Sequence, residues 1–287
     1  MCRLFFRQGN ENKIKKTRTP RGCVVKQFYL PSLKRIMTEN YERCVIANDF
    51  HYPYQDDKVI KLWFKFLEDF KPDTVIINGD LLDCWALSKF DKNPKEGRKF
   101  KEEVDMGESF FQELRLTLPK AHLVYIFGNH EYRLQKYIVQ QAPELIWFEG
   151  LSLQDLMHLH KYDVEVVNSG LKESFYQYGD LFVGHYNKVS KHGGYTVKNL
   201  IDDYGVSLLQ AHTHRFGLHI RKTLDNRWIG GYENGCMCNL SPSYMLSPNW
   251  CHGFSVVFKE KNDGRFQVVQ VPIIKGKFFF GTKEFKV

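Results

Sequence analysis

Three short apolar segments in the first half of the chain each run directly into a cluster of Asp, Asn and His residues. The segments are 43–47, 74–77 and 123–127, each about as long as a β-strand that is buried on both faces. Between them the apolar residues recur every three or four positions, which predicts helices over 56–70 and 100–118. Alternating buried strands and helices are typical of βα units in a parallel sheet. The polar clusters should therefore meet at the carboxyl edge of that sheet, where the loops of such folds form the ligand crevice.

The second half of the chain is richer in strand patterns. Residues 174–178 and 181–183 flank a Gly-Asp turn and predict a hairpin. Further strands are expected over 206–210, 218–222, 228–232, 254–258, 266–271 and 278–280. A helix should follow the hairpin and end near Gly205. Its apolar side is predicted to hold Tyr195, Leu200 and Ile201. These patterns predict an α/β domain with two sheets packed face to face and helices outside.

The composition, with 43% hydrophobic and 26% charged residues, is that of a folded domain. It excludes disordered, collagenous and coiled-coil chains. No apolar run reaches the roughly 20 residues of a membrane helix, and the N-terminus lacks the apolar segment of a signal peptide. We therefore expect no membrane partner and a cytoplasmic location. The seven scattered cysteines predict reduced, mostly buried thiols and no disulfide framework.

The net positive charge of the chain comes from its N-terminal part. Residues 1–40 hold ten Lys and Arg against two Glu, a net of +8 that equals the net charge of the whole chain. Residues 41–287 are therefore neutral and offer no broad track for a nucleic-acid duplex. We predict a basic, flexible leader over 1–40 and one domain over 41–287. The leader could be a passive extension or an arm that binds nucleic acid.

The side chains that follow the predicted strands are those that bind divalent metal ions. They are Asp49, His51, Asp80, Asp83, Asn129, His130, His185, His212 and His214. A carboxylate that can bridge, surrounded by imidazoles and amide oxygens, suits a pair of borderline ions such as Mn²⁺, Fe²⁺ or Zn²⁺ better than Ca²⁺. Alternate residues of an extended segment point the same way, so the pairs Asp49 with His51 and His212 with His214 can each face one metal cluster.

Five motifs in order make the chain resemble the calcineurin-like metallophosphoesterases, and within them the group often encoded by phages and prophages. The family pattern is Asp-x-His, Gly-Asp-x-x-Asp, Gly-Asn-His-Glu/Asp, Gly-His and Gly-His-x-His. Here the five motifs stand at 49–51, 79–83, 128–131, 184–185 and 211–214. One residue departs from the pattern, because Ala211 replaces the usual Gly while the metal-binding side chains are intact. The resemblance covers roughly residues 43–280.

The resemblance implies a four-layer αββα sandwich that binds two divalent metal ions. One ion would be held by Asp49, His51, Asp80 and His214. The other would be held by Asp80, Asn129, His185 and His212, with Asp80 as the bridge. Mn²⁺ is the expected ion, with Fe²⁺, Zn²⁺ and Ni²⁺ as alternatives.

The resemblance also implies two catalytic residues. His130 lies beside a metal-binding residue and would protonate the leaving oxygen as general acid. Its alternative role is a structural hydrogen bond to the phosphate. Asp83 matches the carboxylate that pairs with this histidine in the protein phosphatases and would fix its tautomer. Its alternative role is to cap a helix.

Three further residues are candidates for substrate binding. Arg133 could bind a phosphate in bidentate fashion, or it could be a solvated residue on a helix face. Lys191 and His192 precede a predicted helix, whose N-terminus favours anions. The Gly-Gly pair that follows them could instead form a simple turn.

The implied function is hydrolysis of a phosphate ester by attack of metal hydroxide, without a covalent intermediate. Cys84 stands where the protein phosphatases carry a phosphate-binding Arg. Together with the basic leader, this favours a phosphodiester in a nucleotide or nucleic acid. The alternatives are a phosphomonoesterase or protein phosphatase and, more remotely, an inactive binding module on the same fold. If the chain is phage-encoded, it would act in the host cytoplasm. The motifs leave open the substrate, the native metal and the oligomeric state.

Overall fold

The structure is a computed structural model of the 287-residue chain. It describes residues 16–18, 24–26, 40–89, 99–168, 174–242 and 247–287. The chain divides into two compact units, 1–41 and 42–287. In the first unit, β1 (Lys16–Arg18) pairs antiparallel with β2 (Val24–Lys26). The predicted flexibility of the leader, 1–40, concerns residues that lie mostly outside the described ones, and it stays a prediction.

A six-stranded sheet forms the larger half of the second unit. Its strands are β3 (Tyr41–Ala47), β4 (Thr74–Asn78), β5 (His122–Ile126), β6 (Val164–Val167), β12 (His252–Glu260) and β13 (Phe266–Ile273). They lie in the order β13-β12-β3-β4-β5-β6. Strands β3 to β6 are parallel, and β12 and β13 are antiparallel. The carboxyl ends of β3, β4 and β5 therefore open onto one edge of this sheet.

A five-stranded sheet forms the other half. Its strands are β7 (Phe175–Tyr178), β8 (Leu181–Gly184), β9 (Ser207–Gln210), β10 (Gly217–Lys222) and β11 (Trp228–Glu233). They lie in the order β10-β11-β9-β8-β7, with β8, β9 and β11 parallel and the two outer strands antiparallel to their neighbours. A separate hairpin joins β14 (Lys277–Phe280) to β15 (Lys283–Lys286).

The described part of the second unit also contains five α-helices. They are α1 (Asp57–Phe70), α2 (Phe100–Thr117), α3 (Tyr132–Gln141), α4 (Leu153–Leu156) and α5 (Tyr195–Tyr204). Short 3-10 turns lie at Trp85–Leu87, Pro143–Trp147 and Leu159–Tyr162. Helix α1 begins after Asp56, whose carboxylate accepts the N–H groups of Lys58 and Val59, a typical N-cap. None of the helices in the described part of the chain is long and apolar enough to cross a membrane.

Three apolar cores arrange these elements in layers. One core lies between the sheets, where Ile46 and Ile76 of one sheet and Leu181 and Leu209 of the other share a fully buried cluster. A second core packs α1 and α2 on the outer face of the six-stranded sheet. A third packs α5 on the outer face of the five-stranded sheet. The predicted four-layer αββα sandwich is confirmed.

Some predictions about the elements were incomplete, and one was wrong. The patterns did not predict β6, α3 or β15. Tyr195 was expected on the apolar side of α5 but is 57% exposed. The buried stripe of that helix instead joins Val197 to Leu200 and Ile201, at the three- and four-residue spacing of one helix face. Tyr195 lies outside this stripe because it precedes Val197 by only two positions.

Candidate metal centre

The side chains predicted to bind metal all lie just after strand ends, and the fold brings them together. Asp49 and His51 follow β3, Asp80 and Asp83 follow β4, Asn129 and His130 follow β5, His185 follows β8, and His212 and His214 follow β9. The facing sheets place these five loops at one edge of the sandwich.

The first group of this centre contains Asp49, His51 and His214, whose candidate ligand atoms lie within 4.8 Å of one another. Nε2 of His214 is 3.1 Å from Oδ1 of Asp49. Nε2 of His51 is 3.2 Å from Nε2 of His214. The Nε2 atoms of both imidazoles therefore lie close together beside Oδ1 of Asp49.

The second group contains Asp80, His185 and His212. Nε2 of His185 is 3.2 Å from Oδ2 of Asp80 and 3.3 Å from Nδ1 of His212. The amide oxygen of Asn129 lies 3.1 Å from the same Nε2 atom. The other three predicted ligands of the second metal site therefore all lie within 3.3 Å of Nε2 of His185.

Asp80 stands between the two groups. Its Oδ2 atom is 3.8 Å from Nε2 of His51 in the first group and 3.2 Å from Nε2 of His185 in the second. Its Oδ1 atom accepts the backbone N–H of His130 at 3.0 Å, which fixes the orientation of the carboxylate. This is the position that a bridging carboxylate requires.

The donor set fits two divalent cations. In the described part of the chain, Oδ1 of buried Asp49 accepts no hydrogen bond, although imidazole nitrogens surround it. A buried polar atom without such a partner costs free energy unless another group compensates it. Carboxylate oxygen, amide oxygen and imidazole nitrogen are also the ligands that Mn²⁺, Fe²⁺ and Zn²⁺ accept. Both groups of residues therefore have the chemistry of metal ligands, and the first group also has a carboxylate oxygen without a hydrogen bond among the described residues.

The charges of the centre shift the pKa values of its members. Burial alone would raise the pKa of Asp49, but the imidazoles of His214, His51 and His185 more than offset it, and the pKa lies well below its usual range. Burial alone would lower the pKa of His214, but Asp49 and Cys238 raise it to about 9. His212 is different, because burial and the neighbouring His185 lower its pKa to about 4.

The backbone at this centre is held in an unusual conformation. Five candidate ligands have left-handed backbones, with φ values of 54° at Asp49, 51° at His51 and Asp80, 70° at His212 and 57° at His214. Residues other than glycine rarely adopt this backbone conformation, which costs about 1–3 kcal/mol per residue. Each left-handed residue sharply changes the direction of the chain after its strand. Such strain persists at sites where the surrounding structure holds it in place.

Two glycines permit the close approach of these loops. At Gly79, which has a φ of 79°, an added Cβ would lie 2.3 Å from Nδ1 of His185. At Gly128, an added Cβ would lie 2.3 Å from Oδ1 of Asp80. Any larger residue at either position would therefore clash with a candidate ligand, His185 or Asp80.

Glu131 holds the loops together, a role that the sequence analysis did not assign. Its buried carboxylate accepts the backbone N–H groups of Asp80, Leu82 and Gly128 at 3.0, 3.2 and 2.8 Å, and the hydroxyl of Tyr125 at 2.8 Å. Burial and the nearby Asp80 carboxylate raise its pKa. Glu131 thus ties the loop after β4 to the loop after β5. Its place in the third motif was the only sequence signal of this function.

Asp83 contacts two histidines. Its Oδ1 atom is 3.1 Å from Nδ1 of His130 and 3.1 Å from Nδ1 of His51. The pairing with His130 was predicted as a contact, and the structure brings these two residues together. The contact with His51 was not predicted. A carboxylate on the Nδ1 of a metal-binding histidine orients the ring and directs its Nε2 atom to the metal.

Arg133 lies against His130. Its guanidinium donates to Nε2 of His130 at 3.0 Å and to the carbonyl of Asp83 at 2.7 Å. This side chain therefore belongs to the centre and is not simply a solvated residue on a helix face. Cys84 is fully buried in the main core, where burial raises the pKa of its thiol. Residue 84 therefore carries no cation, and Arg133 from α3 lies 3.6 Å from the Asp83 carboxylate.

Lys191 and His192 are both exposed. Within the described residues, no recorded contact links either side chain to the candidate ligands, so their role in binding substrate stays a prediction. Their segment is tied to the centre through Arg215, which follows His214 and donates to the carbonyls of Lys191 and Ser190 at 3.0 and 2.7 Å.

Other unpredicted residues support the first group. The amide of Asn48 donates to Oδ2 of Asp49. Sγ of Cys238 is 3.8 Å from Nδ1 of His214, and the ring of Trp250 lies 4.3 Å from the ring of His214. Asn234 in turn donates to Oδ1 of Asn48 at 2.7 Å. None of these supporting residues belongs to the five motifs, so the motifs gave no signal of this support.

The fold and the centre together define an α/β protein with two facing sheets and a buried cluster of Asp and His at the strand ends. Residues 43–216 match the calcineurin-like phosphoesterase family, and the chain belongs to it. It is similar to the protein named gene 54 protein of Mycobacterium phage L5, with 25% identity over 252 residues that cover 83% of this chain and 96% of the relative. The gene 54 protein of Mycobacterium phage D29 is also 25% identical, over 257 residues and the same shares of both chains.

Solved structures of similar fold include two Vps29 proteins. Vacuolar Protein Sorting 29 from Cryptosporidium parvum has a TM-score of 0.45 and 13% identity, covering 86% of this chain and all of its own. A Vps29 single mutant from Entamoeba histolytica has a TM-score of 0.42 and 16% identity, covering 85% of this chain and 98% of its own.

Metal binding to this centre is expected to strengthen with rising pH. Burial alone would lower the pKa of His185, but Asp80 and Asp49 raise it to about 9, the same value as for His214. At pH 7, below both values, the metal-free protein holds these protons, and a metal ion must displace them. The affinity for Mn²⁺ should therefore rise from pH 7 toward pH 9, by about tenfold per pH unit for each proton released.

Calorimetric titration with Mn²⁺ in buffers of different ionisation enthalpy measures the number of protons released. The expected result is a release of at least one proton per chain at pH 7 and a smaller release at pH 9. An affinity and a proton release that do not change between these pH values would contradict the prediction.

Proposed function

We propose that this protein is a divalent-metal-dependent hydrolase that cleaves a phosphodiester of a nucleotide or nucleic acid. The observation that carries the proposal is the position of Asp80, whose Oδ2 atom lies within 3.8 Å of an imidazole nitrogen from each of the two groups. Two divalent ions bound there would stabilise the charge on the phosphoryl oxygens and supply a water of lowered pKa for in-line attack. We expect Mn²⁺ as the ion and the cytoplasm as the place of action, that of the host if the chain is phage-encoded.

The residues of the chain have separate tasks in this proposal. Asp49, His51 and His214 would hold one ion, and Asn129, His185 and His212 the other, with Asp80 shared. Asp83 would orient His51 and His130 through their Nδ1 atoms. Glu131 would keep the loops after β4 and β5 at a fixed separation.

His130 is the proposed proton donor to the leaving oxygen. Its Nδ1–H points to the carbonyl and carboxylate of Asp83, at 2.9 and 3.1 Å. Its Nε2 atom, 3.7 Å from Oδ2 of Asp80, faces the space between the two groups. Arg133 donates a hydrogen bond to Nε2 at 3.0 Å. A bound phosphate would accept the hydrogen bonds of this guanidinium in place of Nε2. The Nε2 atom would then be able to carry the proton for the leaving oxygen.

A phosphomonoesterase, such as a protein phosphatase, is the second candidate. The guanidinium of Arg133 favours it, because a monoester carries a second negative charge that an arginine beside the phosphate would neutralise. The buried Cys84 favours the diester, since it offers no cation at the position where the protein phosphatases have one. An inactive binding module is less well supported, because every candidate ligand is in place.

A comparison of substrates in Mn²⁺ tests the proposal. The panel is bis-nitrophenyl phosphate, nitrophenyl phosphate, cyclic nucleotides, single-stranded DNA and RNA, and a phosphopeptide. We expect metal-dependent hydrolysis of the diesters at least about tenfold faster than of the monoesters, because an enzyme expresses specificity through differential stabilisation of transition states. Preferred hydrolysis of nitrophenyl phosphate and the phosphopeptide would establish the second candidate. Absence of metal-dependent hydrolysis of every ester would reject both.

A further inference from the structure

A cavity of about 390 Å³ adjoins the metal centre. It lies between α3 and the 3-10 turn Trp85–Leu87, and its volume is within the range of small-molecule sites, roughly 300–1,000 Å³. Asn129 and Arg133 line both this cavity and the metal centre. The cavity is therefore next to the metal centre, within reach of a substrate held there.

One face of α3 forms a wall of the cavity. Arg133, Lys136, Tyr137 and Gln140 stand at positions i, i+3, i+4 and i+7, which share one side of a helix. Neighbours at this spacing are about 5–6 Å apart on the helix surface. Arg133 and Lys136 can thus contact adjacent groups of one ligand.

The described lining of the cavity is positively charged, because it includes Arg133, Lys136 and Lys89 and no Asp or Glu. Arg133 is paired with the carboxylate of Asp83 at 3.6 Å. Among the residues that the structure describes, neither Lys136 nor Lys89 takes part in an ion pair, and both are exposed. A cavity with such a lining attracts an anion.

The lining also contains apolar groups. Ala86 and Leu87 come from the 3-10 turn, and α3 contributes the ring of Tyr137, which is 49% exposed. An exposed aromatic ring beside cationic side chains is the arrangement that proteins use to bind single-stranded nucleic acid, with the base stacked and the phosphate paired.

The position of the cavity relative to His130 indicates which part of a substrate would enter it. The guanidinium of Arg133, which lines the cavity, is 3.0 Å from Nε2 of His130. In the proposed function this Nε2 atom protonates the leaving oxygen. The cavity therefore lies on the side of the leaving group.

We propose that this cavity binds the leaving nucleotide of a single-stranded oligonucleotide. The base of that nucleotide stacks on Tyr137 against Leu87, and the next phosphate along the strand pairs with Lys136 and Lys89. The proposal rests on the proposed function, because it takes the metal centre as the place where the diester is cleaved. It narrows the substrate to a strand with at least one phosphate beyond the scissile one.

Binding and cleavage of a fluorescent thymidine hexanucleotide test this subsite. The variants are Lys136→Gln and Tyr137→Ala, and the matched control is Lys61→Gln, an exposed lysine of α1 that forms no ion pair among the described residues. Anisotropy in a chelator measures binding without turnover. In Mn²⁺, kcat/KM is measured for the hexanucleotide and for bis-nitrophenyl phosphate, which has no second phosphate.

We expect Lys136→Gln and Tyr137→Ala each to weaken binding of the hexanucleotide by about tenfold, as for the loss of one charged hydrogen bond or one stacked base. Each should lower kcat/KM for the hexanucleotide by several-fold more than for bis-nitrophenyl phosphate. Lys136→Gln should also reduce the slope of log affinity against log salt by about 0.7. Lys61→Gln should leave binding and both activities unchanged.

Two results would overturn the subsite: binding of the hexanucleotide that neither variant weakens, or equal losses of kcat/KM on both substrates. The outcome also separates this inference from the proposed function. If bis-nitrophenyl phosphate is hydrolysed but neither variant weakens hexanucleotide binding, the subsite is wrong and the proposed function stands. If no ester is hydrolysed but both variants weaken binding, the cavity binds a single strand, and the proposed function is wrong together with the assignment to a leaving nucleotide.

Discussion

Asp80→Asn is expected to remove the second metal ion and to lower kcat on the order of 10³-fold or more, the scale of losing a group that stabilises transition-state charge. The substitution keeps the shape of the side chain but replaces a charged carboxylate by a neutral amide. The Oδ2 position, which faces His51 on one side and His185 on the other, then loses its negative charge. An amide binds two cations at once much less well than a carboxylate does, because it carries no charge to offset theirs.

Metal analysis of the purified protein and kinetics on bis-nitrophenyl phosphate measure both effects. The unaltered protein should approach two divalent ions per chain, and the variant should hold one or fewer. Asp69→Asn is the matched control, since Asp69 is exposed in α1 and, among the described residues, forms an ion pair with Lys283 alone at the surface. The fold of the Asp80 variant should survive, because Glu131 binds the backbone N–H of residue 80 and not its side chain. A single tightly held zinc ion in the unaltered protein would reject the two-ion centre.

His130→Ala is expected to lower kcat by about 10²–10⁴-fold on nucleotide diesters, the usual contribution of general acid catalysis. The loss should be small on nitrophenyl esters, because nitrophenolate is a stable leaving group and needs no proton. His130 is suited to this role because Asp83 holds its Nδ1 atom, which leaves Nε2 toward the reacting phosphate.

The ratio of losses on the two kinds of ester is the decisive measurement for His130. His122→Ala serves as a control, since His122 is partly exposed and pairs with Glu165 away from the centre. Equal losses on both esters would discard the role of general acid and leave His130 as a group that binds phosphate. Unchanged metal content in the variant would show that the loss does not come from the metal site.

Much of this centre could be predicted from the sequence because its residues are attached to local patterns. Asp49, Asp80 and Asn129 each follow a run of apolar residues long enough to be a buried strand. The parallel arrangement then requires these strand ends to share an edge. His185 and His214 follow strands of the second sheet, and their proximity to the first group could be expected only through the family resemblance.

Contacts between distant parts of the chain could not be predicted in the same way. The second contact of Asp83, with His51, depends on how two loops pack, and no periodicity reports it. The contact of Arg133 with His130 depends on the position of α3, which the patterns did not predict. Tyr195 was assigned to the wrong side of α5 because apolar character alone does not specify which residues of a helix face the sheet.

The sequence by itself determined most of the strands and helices in order, the α/β class and the identity of the candidate ligands, because these depend on residue type and on spacing within a few positions. Tertiary structure decided what the ligands do together. It brought His51 within 3.2 Å of His214, 163 residues away, and placed Glu131 across two loops. It also set α3 beside the turn at Trp85–Leu87 to form the charged cavity. The physical reason is that such distances follow from the packing of whole sheets and helices, which no local propensity encodes.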